Sequence, residues 1–146
     1  TSRFAIPPGA PAHRVQTERV LGFDATMVGL FSHMHLRGKD MTFQVIRPGE
    51  SEAEILLRIP NYHFDWQQSY RFAPGAMKLP RGTRLQTVAH YDNSSFNPFN
   101  PDPTATVRNG DQTFAEMMYG FYFYLRDDED LRLSVDPKTG RARSRE

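Results

Sequence analysis

Apolar residues recur along this chain with a period of two, in short segments separated by turn-forming residues. Segment 41–48, MTFQVIRP, alternates apolar and polar positions, and EILLRIP at 54–60 follows the turn PGES. Such alternation places apolar side chains on one face of a β-strand. Further strand-like segments lie at 14–21, 25–36, 61–72, 83–91 and 114–125. No segment has the period of an amphipathic helix.

Seven to nine short strands with long loops predict an all-β fold, an antiparallel β-sandwich of jelly-roll type. Residues 1–12 contain four Pro and Gly residues and are expected to form an irregular, extended lead-in. The sandwich is expected to span 13–126. Residues 127–146 are too charged to enter a core and are predicted to form a flexible tail.

Composition limits the classes of function. A length of 146 residues suits one domain, and a net charge of +1 gives no reason to expect nucleic acid as a partner. The chain has no cysteine, which excludes disulfides and thiolate metal sites within it. No run of eighteen apolar residues is present, so no membrane span is expected.

The segment FSHMHLRGKDM (31–41) contains two of the five histidines, His33 and His35, one residue apart. Side chains at i and i+2 of a strand share a face, roughly 6.5–7 Å apart along the backbone. His33 and His35 can therefore converge on one metal ion, while Met34 points into the opposite layer. Two imidazoles suit copper, zinc, nickel or iron. The alternative is a pair of hydrogen-bonded histidines on an exposed face.

A third ligand has to come from a neighbouring strand, and the residue pattern leaves it open. His90 ends a predicted strand beside the polar loop 92–104. Met117 and Met118 begin the last predicted strand, where adjacent side chains face opposite sides. A methionine in an aromatic strand is more often part of a core than a ligand. No nucleophile elbow, phosphate-binding loop, dinucleotide fingerprint or zincin motif occurs, and the residues with catalytic roles stay unknown.

Several segments, taken in order, resemble the C-terminal domain of the copper type II, ascorbate-dependent monooxygenases. That family includes peptidylglycine α-hydroxylating monooxygenase and dopamine β-monooxygenase, and the resemblance is greatest to a bacterial branch. It covers roughly residues 13–125. The segments are HMHLRGK (33–39), NYHFDWQ (61–67), LPRGTRLQTVAHYDNS (79–94), NPDPTATVRNGDQT (100–113) and AEMMYGFYFY (115–124).

The resemblance implies a β-sandwich that holds one copper ion through His33, His35 and Met117, with His90 as a further candidate. It implies that copper activates dioxygen for C–H hydroxylation, with electrons from an ascorbate-like reductant or a redox protein or domain. It also implies an extracytoplasmic location, in the bacterial periplasm or secreted, and possible further subunits or domains.

Two other functions are compatible with the sequence. The first is a non-catalytic sandwich module that binds copper or contributes an interface to a larger extracytoplasmic assembly. The second is a carbohydrate-binding or adhesive sandwich that uses Trp66, Tyr62 and Tyr70 as a stacking platform.

Overall fold

The computed structural model describes residues 3–130, 132–136, 138–139 and 141–144. Over these residues the chain forms twelve strands and no helix. The strands are β1 Ala5–Ile6, β2 His13–Val20, β3 Ala25–His33, β4 Gly38–Ile46, β5 Glu54–Ile59, β6 Ser69–Arg71, β7 Lys78–Leu79, β8 Arg84–Tyr91, β9 Val107–Arg108, β10 Tyr119–Arg126, β11 Leu133–Val135 and β12 Ala142–Ser144. The predicted all-β character is confirmed.

Eight strands form two four-stranded antiparallel sheets. The first sheet has the order β2-β8-β4-β5, and the second has the order β10-β3-β6 with β7 paired to the start of β3. The chain changes sheet between β2 and β3 and again between β3 and β4. The segment between His33 and Gly38 is therefore a bridge from one layer to the other, and both predicted metal-binding histidines lie at its start.

The core fills the space between the two sheets. Met41, Phe43 and Val45 alternate with partly exposed residues along β4 and are fully buried, as the period-two pattern predicts. From the opposite sheet, the Tyr122 ring meets Phe43 edge to face, with 5.4 Å between ring centroids. The Tyr122 hydroxyl donates to the backbone oxygen of Gln86 in the first sheet at 2.6 Å. These contacts confirm the sandwich.

Three predicted strands differ from the structure at their ends. The segment 25–36 forms a strand only to His33, 114–125 begins its strand at Tyr119, and 61–72 is mostly loop before the short β6. Where the first two of these strands end, the Glu116 side chain accepts hydrogen bonds from the backbone N–H groups of His35 and Arg37. These N–H groups therefore do not pair with a neighbouring strand. Side-chain acceptors from distant residues end these strands, and a local pattern does not contain that information.

Short strands lie in both terminal segments. In the predicted lead-in, β1 pairs with β9, and in the predicted tail β11 and β12 form a hairpin. Residues 1 and 2 of the lead-in lie outside the described residues, as do 131, 137, 140, 145 and 146 of the tail. The described part of the chain includes no helix with the length and apolarity that a membrane crossing requires.

Candidate metal centre

His33 and His35 lie together at the end of β3, at the outer side of the second sheet. Their ring centroids are 5.2 Å apart and the rings are almost perpendicular. His33 is half-buried and His35 is buried. His35 lies beyond the strand, so the predicted i, i+2 spacing applies to a strand end rather than to a strand interior. The two rings nevertheless lie next to each other.

One nitrogen of each imidazole is held by a hydrogen-bond acceptor. His33 Nδ1 lies 2.9 Å from Gln67 Oε1, and Gln67 Nε2 donates to the Phe64 backbone oxygen, which fixes the orientation of the amide. His35 Nδ1 lies 3.3 Å from the backbone oxygen of Ala115. Both acceptors require Nδ1–H, so the lone pair of each neutral ring is at Nε2. This arrangement resembles the outer-shell support that orients metal-binding histidines.

Gln67→Leu is expected to weaken Cu(I) binding by about 10- to 100-fold, because the His33 ring loses the acceptor that fixes its tautomer and orientation. The measurement is an anaerobic titration against a chromophoric Cu(I) chelator. Gln68→Leu is the matched control, since Gln68 is the exposed neighbouring glutamine. Equal affinities for the two variants would show that Gln67 does not support the site.

The second sheet pairs β3 with β10 up to the histidine pair. Strand β10 is antiparallel to β3, with Tyr119 opposite His33. The same register, if continued for two residues beyond both strand ends, would set Met117 opposite His35. The hydrogen bond between His35 Nδ1 and the Ala115 backbone oxygen shows that the two segments are still close together there.

Alternation distinguishes the two adjacent methionines. Met34 and Met118 are fully buried, whereas Met117 is half-buried. Met34 and Met118 thus face the core, and Met117 faces the side of the sheet on which the histidines lie. The prediction that Met34 points into the opposite layer is confirmed.

Glu116 holds the two segments together. Its buried carboxylate accepts the backbone N–H of His35 at 2.8 Å, of Arg37 at 2.6 Å and of Met117 at 3.2 Å. One side chain therefore fixes the backbone of a candidate ligand on each segment. Burial raises the pKa of Glu116 to about 7, although the three N–H donors and the Arg37 charge act to lower it.

Arg37 extends this network into loop 92–104. The guanidinium is buried, its Nε donates to Asn93 Oδ1 at 2.8 Å, and its Nη1 donates to the Phe114 backbone oxygen at 2.9 Å. Asn93 in turn donates to the backbone oxygens of Pro7 and Ala105. The bridge that carries His35 is thus fixed to the loop and to the N-terminal segment.

His35 is suited to remain neutral. Burial lowers the pKa of the imidazole, and the neighbouring His33 lowers it further, while backbone carbonyls of Ala115 and Gln112 and the charge of Asp111 act in the opposite direction. A neutral imidazole keeps a lone pair for a metal ion. The lowered pKa of His35 therefore agrees with the hydrogen bond at its Nδ1.

The structure does not bring His90 to this pair. His90 lies in β8 of the first sheet, between buried Ala89 and Tyr91, so its side chain is directed to the outer face of that sheet. Its Nδ1 is 2.7 Å from Asp40 Oδ1 on the neighbouring strand. His90 thus forms a cross-strand pair of its own, on the opposite side of the sandwich from His33 and His35.

The predicted stacking platform does not form. Tyr62 is buried, and its hydroxyl exchanges hydrogen bonds with the backbone of Met34 at 3.0 and 2.6 Å. Only Trp66 and Tyr70 of the three aromatic residues are exposed. Tyr62 instead supports the histidine pair, since its hydroxyl binds the backbone of Met34, the residue between the two histidines.

Gln67 and Glu116 are the residues to which the sequence pattern assigned no role. Each acts across a long separation, 34 residues from His33 and 81 from His35. In the sequence, Glu116 is distinguished only as a single acidic residue at the start of an apolar, aromatic segment.

Within the described residues, no group of three or more His, Cys, Asp and Glu side chains is placed to hold a metal ion. The set His33, His35 and Met117 contains two such side chains and a thioether. A scan of the sequence against models of known protein families finds no match, and a search of curated proteins finds none either.

Proposed function

We propose that this chain is a copper-binding redox domain that resembles the oxygen-activating half of a copper-dependent monooxygenase. One copper ion would be held by His33, His35 and Met117. The observation that carries the proposal is the pair of converging imidazoles whose Nδ1 atoms are both held by acceptors, which directs both lone pairs to Nε2.

The donor set fits copper. Two neutral imidazoles with one thioether are a combination that favours Cu(I) over hard cations. When bound, copper would supply activation of dioxygen for hydroxylation of a substrate C–H bond, with electrons from an external donor. The protein's part is to orient both rings through Gln67 and Ala115 and to fix the backbone of His35 and Met117 through Glu116.

The electron donor is proposed to be external, either an ascorbate-like reductant or a redox protein or domain. The other three histidines do not form a cluster. His13 and His90 lie on the paired strands β2 and β8, but His13 is opposite Tyr91 and His90 is opposite Arg14, so their side chains face opposite sides of the sheet. His63 is in the loop after β5. An extracytoplasmic location, periplasmic or secreted, is part of the proposal because the resemblance implies it.

Met117→Ala is expected to weaken Cu(I) binding by about tenfold and to remove the sulfur scatterer from the X-ray absorption spectrum of the copper-loaded protein. Wild-type protein should bind one equivalent and show that scatterer. Met77→Ala is the matched control, because Met77 is also half-buried and lies in a different part of the second layer. If both variants keep the wild-type affinity and spectrum, Met117 is not a ligand.

The second candidate is a module that binds copper without turnover. The separation of the other histidines favours it, since turnover would depend on a partner. Oxygen consumption by the copper-loaded chain with ascorbate distinguishes the two functions: consumption above that of free copper supports the oxygenase, and its absence supports the module.

A further inference from the structure

An exposed row of aromatic rings lies on the outer face of β10. Tyr119, Phe121 and Phe123 are 38, 41 and 48 % exposed, which is unusual for three successive large side chains on one face of a strand. Neighbouring centroids are 5.7 Å apart between Tyr119 and Phe121 and 6.3 Å apart between Phe121 and Phe123. The rings thus form a continuous apolar surface.

This surface begins at the candidate metal centre. The Tyr119 ring is stacked on that of His33, with 6.2 Å between centroids. Phe31, two residues before His33, packs against Phe121 at 5.8 Å. The apolar face of β3 and β10 therefore leads directly away from the histidine pair.

An arginine lies at the other end of the face. In the register of the second sheet, Gly29 of β3 is opposite Phe123 on one side and Arg71 of β6 on the other. Gly29 places no side chain between them, and its backbone is covered, since a Cβ there would lie 2.7 Å from the Tyr70 backbone oxygen. Arg71 is exposed, and none of the ion pairs among the described residues includes it.

We propose that this face binds a small amphiphile with a carboxylate at one end and an apolar stem. The carboxylate pairs with the Arg71 guanidinium, which presents paired N–H donors to such a group. The stem lies over Phe31 and Phe121, and its far end reaches His33. His33 lies four positions after Gly29, a span of about 14 Å, which suits a stem of roughly ten carbons.

The inference deepens the proposed function, because the end of the stem would be the part of the substrate nearest the copper ligands. Binding of the amphiphile itself needs no metal. The two proposals are therefore separable in one set of proteins, with amphiphile binding measured on the metal-free chain and Cu(I) affinity measured separately.

The test is titration of the metal-free chain with sodium decanoate and, as the uncharged probe of equal chain length, 1-decanol. Binding is followed by calorimetry and by amide chemical shifts. We expect saturable decanoate binding, shifts confined to β3, β6 and β10, and about tenfold weaker binding of decanol. Arg71→Gln should weaken decanoate by about tenfold and leave decanol and Cu(I) affinities unchanged.

Arg58→Gln is the matched control, since Arg58 is exposed on β5 of the other sheet. Phe121→Ser should weaken both probes, because each uses the apolar surface. The proposal is overturned if decanoate does not saturate, if the shifts map elsewhere, or if decanol binds as tightly as decanoate. It is also overturned if decanoate fails while the chain self-associates through this face, which would identify a protein interface.

Discussion

His35→Ala is expected to lower the affinity for Cu(I) by more than about 100-fold, the upper end of what loss of a supporting hydrogen bond alone costs. The substitution removes a neutral, buried imidazole whose Nδ1 is already held by the Ala115 backbone oxygen. The fold should survive, because the N–H of residue 35 still donates to Glu116 when the side chain is removed. His33→Ala should have the same effect on binding.

The measurement is an anaerobic competition titration with a chromophoric Cu(I) chelator, together with circular dichroism to confirm folding. His90→Ala is the matched control, because His90 is a half-buried histidine paired with Asp40 on the other sheet. Retained binding in His35→Ala would exclude the proposed site. If His90→Ala loses Cu(I) binding instead, the site lies on the outer face of the first sheet.

The strands were predictable where a local pattern determines them. Segment 54–60 became β5 at Glu54–Ile59, and 83–91 became β8 at Arg84–Tyr91, because apolar side chains of both segments, such as Leu57 and Leu85, pack on the same core. The pattern failed at 34–36 and 114–118, where the residues still appear strand-like. There the Glu116 carboxylate accepts hydrogen bonds from the backbone N–H groups of His35 and Arg37. The segment between the sheets therefore does not form the backbone hydrogen bonds of a strand.

The candidate site was predictable in part for the same reason. The spacing of His33 and His35 is local information, and the proximity of their rings followed from it. The choice between Met117 and Met118 depends on which of them faces the core, and only the resemblance, not the local pattern, implied Met117. Gln67 could not be assigned, since its contact with His33 depends on how loop 61–68 folds back.

Glu116→Ala is expected to lower the free energy of unfolding by about 3–5 kcal/mol, the largest effect on stability that we predict. Three backbone N–H groups, those of His35, Arg37 and Met117, would lose their acceptor in a buried place. A buried donor without an acceptor costs about 1–3 kcal/mol, and the three costs do not add fully. The buried Arg37 would also lose a nearby opposite charge.

The pH dependence gives a second signature of Glu116. Its pKa is raised by burial from 4.5 to about 7, so the folded state favours the protonated carboxyl. The corresponding stability is fully present below pH 4.5 and is lost as the pH rises through about 7. Wild-type protein should therefore lose stability relative to Glu116→Gln over this range, since glutamine does not titrate.

Urea unfolding of wild type, Glu116→Ala and Glu116→Gln between pH 4.5 and pH 8 measures both effects. Glu54→Ala is the control, because Glu54 is exposed and its ion pair with Arg47 lies at the surface, where such pairs contribute about 0–1 kcal/mol. If Glu116→Ala costs no more than Glu54→Ala, the carboxylate does not hold the bridge. The positions of His35 and Met117 would then have to be fixed by the strands alone.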